Sequence, residues 1–560
     1  MFKKIRKSKT GSILIFAYAA IISLFVFVGV LTHRAISSLV HAQVNMARTE
    51  ALYLSEGGLS NVVYNLGYAI ANYMSEPVTG TPLPLSGLAF PPSAGFVPVE
   101  FNLLYTCEPV GGEQMLVDSY GIVTFVRNYK INLLASHNGY HADGKPLTVS
   151  LNQIIARKKT YTFQHAVFYE DDLEMLPGPP MTLSGKVHTN SDLYVGSDGN
   201  TLTINSDYLY SAGDIFYKRK DNGVILSGQV KIKIKDSSSY DYMFTAGDPA
   251  PLDSLRADWA SESQNRWNGT VKSSVHGVSR LAVPAVASIQ PDGFYASNAN
   301  VKVENGAIRK GGALLVEGVD MPVGTVKTRT TFYNNREGKW VKMTEIDMRK
   351  LAGYDEADPV GSPSFPSQLP DNGLLYATRN DVSGGQAPGI KLVHGEEIHR
   401  AHGLTVVSNQ PVYVKGDYNN ENKKPAAVIC DSVNLLSNLW DDGTSTSGLP
   451  SRVPDNTQVN MAFIAGIDTT TTGQYNGGLE NYPRLHENWS QSPRRTLTIR
   501  GSFVELWNSI FSQGEWLYGN PQYTAPTRDW DYDTDFNDVD NLPPFTPFAV
   551  EMQRVAWWVS

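Results

Sequence analysis

The stretch KKIRKSKTGSILIFAYAAIISLFVFVGVLTHR, residues 3–34, limits what this chain can fold into more than any other. Lys3, Lys4, Arg6, Lys7 and Lys9 precede Gly11 with no acid among them, and Ser12 to Leu31 carries no charge. As a helix with a rise of about 1.5 Å per residue, this run is about 30 Å long, the hydrocarbon thickness of a bilayer. A cleaved secretory signal has an apolar region of only about 7–15 residues, so the run reads as a membrane span. Arg34 and Arg48 are the next basic residues. The bias of basic residues toward the cytoplasmic side leaves the N-terminus inside and everything beyond Arg34 outside.

The apolar pattern continues past the bilayer. Ile36, Val40, Val44, Ala47, Ala51, Leu54, Gly58, Val62, Leu66, Ala69 and Tyr73 recur at steps of three or four, a stripe at helical period. Ser38, Gln43, Asn45, Arg48, Thr49 and Asn61 fall on the opposite face. No proline occurs between Ser12 and Glu76, and Pro77 supplies a stop. One helix over residues 12–75, about 90 Å long, is predicted.

This arrangement resembles the type IV prepilins and pseudopilins, in which a short basic leader ends in Gly just before an apolar segment. The matching residues are KSKTG, 7–11, followed by SILIFAYAAII, and EALYLSEGGLSNVVYNL, 50–66, is similar to the helix continuation of PilX-type minor prepilins. The resemblance implies that a prepilin peptidase removes residues 1–11 by cutting between Gly11 and Ser12, and that the new Ser12 amine is methylated. It further implies other pilin or pseudopilin subunits as partners through the N-terminal helix. The location it implies is the bacterial inner membrane, single-pass, and after assembly a pilus or the cell surface. Most major pilins carry Glu at the fifth mature position; here it is Phe16. A missing Glu is familiar in PilX-type and GspK-like members, which points to a subunit at or near the filament tip. The plainer alternative is an uncleaved signal anchor.

Beyond the helix, 560 residues suggest two to four domains. The formal charge of −8 includes the basic leader, so the remainder is more acidic still. That argues against nucleic-acid binding, which needs basic surface. Cys107 and Cys430 cannot form a disulfide framework; two buried thiols or one bridge are open. The chain holds 48 Gly, 32 Pro and 28 Tyr and few helical patterns after residue 75, which reads as β-rich. Residues 77–98 read as a Pro/Gly/Ser linker. FNLLYTCEPV, EQMLVDSYGIVTFVRNYKINLLA and PLTVSLNQIIARKK alternate as antiparallel strands, giving a small sheet within 76–158.

From residue 159 the texture changes. LSGKVHTN, LYVGSDGN, LTINSD and LYSAGDIF read as rungs of a β-solenoid with Asn and Gly at the corners, and a β-sandwich is the alternative. The same texture returns in LTVVSNQPVYVKGDYNN, AAVICDSVNLLSN and RTLTIRGSFVEL. The domain is thus expected over 159–560 with an insertion at about 245–395, where Asp253 caps a helix in DSLRADWASESQNRWNGTV. These motifs, with GGLENYPRLHENW and PPFTP, also resemble the C-terminal domain common on large PilX-like proteins, which implies no reaction. The expected class is α+β: a long N-terminal helix with a small antiparallel sheet, then a large, mostly β domain.

Four clusters could carry chemistry. HGEEIHRAH (394–402) gathers His394, Glu396, Glu397, His399 and His402, but lacks zincin spacing and reads more simply as a polar loop. DWDYDTDFNDVDN offers Asp531, Asp533 and Asp535 as calcium ligands. An EF-hand would have Gly at 536 and Glu at 542, where Phe and Leu stand, so a solvated acidic loop is the plainer reading. In KVHTN, His188 and Asn190 share a strand face and read as a hydrogen-bonded stack. ENYPRLHENW could bind sugar through Glu480, Arg484, His486, Glu487 and two aromatics, or hold a structural Glu–Arg pair. No G-x-S-x-G elbow, phosphate-binding G-x-x-x-x-G-K-[ST] loop or C-x-x-C pair occurs, so no enzyme activity and no cofactor other than calcium is expected. The expected function is a minor pilin or pseudopilin at the tip. The alternatives are a membrane-anchored carbohydrate-binding or carbohydrate-active protein, with surface polysaccharide as partner, and an anchored envelope scaffold.

Overall fold

A computed structural model describes residues 10–73, 76, 83–84, 101–142, 145–359, 361–473, 475, 478–515 and 521–560. The leader residues 1–9 and, apart from Leu83–Pro84, the linker at 77–98 lie outside the described residues.

One helix of 62 residues runs from Thr10 to Ala71. The apolar stripe faces the protein only from Ala47 onward: Ala47, Ala51, Gly58, Val62, Leu66 and Ala69 are buried, whereas Ile36 and Val40 are exposed. The helix stops before Pro77 because Tyr73 turns left-handed, with φ of +60°, and stacks its ring on Phe294 at 3.7 Å.

The buried stripe packs on an antiparallel sheet of Phe101–Val117, Val123–Ala142 and Lys145–Tyr161. Leu103, Tyr129, Ile131, Leu133, Leu151 and Ile155 form the sheet's side of this core. Gly58 lets helix and sheet approach, since a Cβ there would lie 2.9 Å from the Leu133 side chain. The sheet does not end at residue 158. Its last strand is Phe548–Val559, paired antiparallel with Lys145–Tyr161, so the final segment of the chain belongs to the head and not to the region 159–560. Alternation in AVEMQRVAWWV is interrupted by a bulge between Arg554 and Ala556, which masks the strand pattern.

The rest is built from short strands stacked mainly in parallel. Twelve strands form its longest sheet. The chain enters in the middle of it: Val167–Tyr169 pairs in parallel with Val187–Thr189 on one side and Phe503–Glu505 on the other. It builds outward through Leu209–Ser211 to Val271–Lys272 at one end. It then crosses to the far end and returns through Val301–Glu304, Leu374–Thr378, Leu404–Val407, Ala426–Cys430 and Ala462–Ala465. In-register side chains make one continuous inner ladder: Val271, Leu209, Val187, Val167, Phe503, Phe463, Val428, Val406, Leu375 and Val301, all fully buried or nearly so. Parallel ladders of this kind leave no place for the antiparallel sandwich.

Corners are turned as polar side chains and glycine allow. Gly403 has φ of +75°, and a Cβ there would lie 1.9 Å from the Pro425 carbonyl oxygen. Asn419, also left-handed, donates from Nδ2 to the carbonyls of Lys424 (2.7 Å) and Asn460 (2.8 Å).

The insertion predicted at 245–395 is shorter than that. Leu374–Thr378 and Ala387–Val393 are integral rungs, paired in parallel with Leu404–Val407 and Val412–Lys415. The short apolar run in LLYAT is fully buried on both faces and has no alternation to mark it. The predicted helix is Trp259–Trp267, preceded by Asp258; Asp253 instead accepts the N–H groups of Tyr217 (3.1 Å) and Leu255 (3.0 Å).

Phe463→Ala removes one rung of the inner ladder and is expected to cost about 3–5 kcal/mol. Thr203→Ala, on an outward position, should change stability by less than about 0.5 kcal/mol. Chemical denaturation of the full chain in detergent distinguishes the two.

Candidate membrane anchor and surface sites

Every residue from Ile13 to Ile36 is exposed, with Ile13 at 69%, Phe16 at 75% and Phe25 at 73%. Among the described residues this is the one helix long and apolar enough to cross a membrane. Leaving about twenty such side chains in water would forfeit roughly 1.5–3 kcal/mol for each large one, so the segment requires lipid or other apolar helices around it. Gly11 and Ser12 are the second and third helical residues.

The junction between helix and head is held by charge. Arg157, fully buried, donates to Glu76 at 3.2 Å and to Glu113 at 2.7 Å, and Tyr129 donates its hydroxyl to Glu76. Burial pushes the Glu76 carboxyl up, but the hydrogen bonds from Lys159 and Tyr129 and the charges of Arg157 and Lys159 outweigh it and hold it below the usual range.

The histidine–carboxylate cluster is partly assembled. His394, Glu396, Glu397 and His399 line a cavity of about 590 Å³ together with Asp347, Tyr354 and Glu421; His402 lies apart and exposed. His394 is left-handed (φ +52°), and its Nδ1 lies 2.8 Å from Asp347 Oδ2. That hydrogen bond raises the His394 pKa against the opposing effect of burial, whereas burial lowers that of His399, which packs on Tyr354.

The acidic loop does not bring its three candidates to one centre. Lys423 Nζ lies 2.8 and 3.0 Å from the two oxygens of Asp533 and 2.8 Å from Asp535, where a cation would have to sit. Asp531 accepts the N–H of Tyr532, and Asp529 pairs with Arg500. Among the described residues no group of three or more His, Cys, Asp or Glu is placed to hold a metal ion.

His188 is buried between Asn190 Oδ1 (3.1 Å) and the Tyr208 hydroxyl of the next rung (3.3 Å), and burial pushes its pKa down to about 4. ENYPRLHENW is dispersed into the interior. Tyr482 and Trp489 are core side chains unavailable to a sugar. Glu480 accepts from Tyr475, Arg484 pairs with Glu337, and His486 Nε2 lies 2.9 Å from Asn434 Oδ1. Cys107 and Cys430 are separate buried thiols in different cores, and burial raises the pKa of both, that of Cys107 to about 12. Sequence reasoning missed the Glu76–Arg157 junction, because its members lie in the segment after the helix and on a strand far apart in the chain.

No protein-family model matches the chain, and no curated protein matches it. Among solved structures, the crystal structure of the competence-associated pilin ComZ from Thermus thermophilus aligns over 92% of this chain and 97% of that one. Its identity is 9% and its TM-score 0.22, a likeness too low to carry an argument.

The raised His394 pKa makes a pH prediction. Its contribution to stability is fully present below the unfolded value of about 6.5 and is lost as pH rises through the higher folded value. NMR titration should place His394 above about 6.5, and Asp347→Asn should bring it back.

Proposed function

We propose that the chain is a minor pilin or pseudopilin of a type IV pilus or a type II secretion-like system. In this reading it sits at the filament tip or starts assembly, and it displays a β-solenoid outside the cytoplasm. The observation that supports it is the division of one helix into an exposed apolar half, Ile13 to Ile36, and a half packed on an antiparallel sheet from Ala47 to Ala71. The inner membrane holds the exposed half first. Other pilin subunits then take the place of lipid around it, with van der Waals packing as the driving force, since lipid and apolar helices are equally oily. A head of this bulk hinders addition of further subunits. The reading assigns the chain no catalytic step, and processing falls at Gly11–Ser12.

A second reading, surface polysaccharide binding, is favoured by one feature. Outward rows Thr182–Thr203–Lys231–Tyr242 and Ser184–Asn205–Lys233–Tyr240 follow the strand stacking. They place polar groups and aromatic faces at intervals of about 4.8 Å.

The deciding measurement is the N-terminal peptide mass of the chain made with and without a prepilin peptidase. The expected product begins at a methylated Ser12 only when the peptidase is present, and Gly11→Val should block its formation. An intact leader on a membrane-held protein under both conditions would overturn the pilin reading.

A further inference from the structure

Lys391 lies on Ala387–Val393, a strand buried along its whole length, and its register partner on the parallel neighbour Lys339–Asp347 is Glu345. Asp442, in the loop after Val433–Leu436, folds over this pair. Lys391 Nζ is 2.9 and 3.0 Å from the two Asp442 oxygens and 3.3 Å from Glu345 Oε2. The three side chains are 5%, 11% and 12% exposed. No other lysine ion pair among the described residues is as enclosed: Lys350 meets open carboxylates, and Lys423 is itself accessible. Phe332, Val341, Met343, Tyr413 and Trp440 form an apolar cluster in the same sheet and loop.

The contacts around Asp442 go beyond an ion pair. Trp440 Nε1 donates to its Oδ1 at 2.9 Å and Thr331 Oγ1 donates to its Oδ2 at 3.1 Å. Two donors, the Trp440 N–H and the hydroxyl of exposed Thr331, thus converge on a carboxyl whose two oxygens both meet an amine, an arrangement suited to stabilising an oxyanion. Glu345, held by Arg329 Nε at 3.0 Å, stands within reach of the same nitrogen as a proton carrier. Burying an ammonium and a carboxylate is costly, and condensation abolishes both charges.

We propose that Lys391 and Asp442 join in an intramolecular amide, with Glu345 moving the protons. Lys391 Nζ passes a proton through Glu345 to Asp442, and its freed lone pair attacks Cγ of the resulting carboxylic acid. The tetrahedral oxyanion is held by the Trp440 N–H and the Thr331 O–H. Collapse breaks one C–O bond, and that oxygen leaves as water with the protons given up by nitrogen through Glu345. Of the three ammonium protons, one stays on the amide and two leave in the water, so Glu345 ends as a carboxylate and no co-reactant is required. The bond ties the strand Ala387–Val393 to a loop that follows the next two strands of its own sheet, Val412–Lys415 and Val433–Leu436. A pull on the chain then cannot unroll that part of the stack.

The test is peptide mapping by mass spectrometry of the full chain, purified from membranes in detergent and denatured before trypsin. The expected result is a branched peptide joining the segments around Lys391 and Asp442, lighter by one water than the sum of its parts, with no cleavage after Lys391. Glu345→Gln should return the two linear peptides. Linear peptides alone from the unsubstituted chain, cut after Lys391, would overturn the proposal whatever the variant does. A branch that persists in Glu345→Gln would overturn the role given to Glu345.

Discussion

The strand Val167–Tyr169 is bonded along both edges, to Val187–Thr189 twenty residues later and to Phe503–Glu505 near the end of the chain. The first contact forms locally. The second closes a loop of more than three hundred residues, and until it forms the inner ladder is two separate pieces with open edges. Closure entropy grows only slowly with length, so thermodynamics tolerates this arrangement far better than kinetics does. With the pairing made, Phe503 sits between Val167 and Phe463, and one core runs from Val271 to Val301.

That closure also decides where the head goes. The outer face of the same sheet carries Phe168, Val504, Ile464, Ile429 and Val407, which in water would be an apolar wall. The crossover between the two ends of the stack covers it, and Leu281, Ile289, Phe294 and Tyr295 pack there. Asn190 clamps this cover by giving its amide to the Leu281 carbonyl and accepting the Leu281 N–H. The helix end joins the same layer through Tyr73 on Phe294 and through Asn72, which accepts the Ala285 N–H. Helix, cover and stack are therefore fixed to one another by apolar contact together with the side-chain hydrogen bonds of Asn190 and Asn72.

What could be read from residues followed the range of the interactions concerned. The helix was legible because its period is local and no proline breaks it, and the head strands were legible because hairpins leave alternating patterns. The rungs near LTINSD and LTVVSN carry their own turn residues. By contrast, LLYAT and APGIKLV are buried on both faces, so they show neither alternation nor helical period, and they fell inside a supposed insertion. The candidate sites divide in the same way. His188 with Asn190 is a same-face pair that spacing reveals. The Lys423 that occupies the centre of the acidic loop lies more than a hundred residues before it and is invisible from DWDYDTDF. Tyr482 and Trp489 could equally have lined a groove or a core, and only the packing of rungs decides between them.

The last strand of the head, Phe548–Val559, has a consequence for biosynthesis. Roughly 390 residues separate Tyr161 from Phe548, and at about 5–20 residues per second they take on the order of 20–80 s to synthesise. Throughout that interval the Lys145–Tyr161 edge is already synthesised and lacks its neighbour. An uncovered strand edge is a template for the wrong partner. A nascent chain of this design needs either a chaperone on that edge or a neighbouring copy kept at a distance, and a chain lacking Phe548–Val559 would carry the open edge permanently.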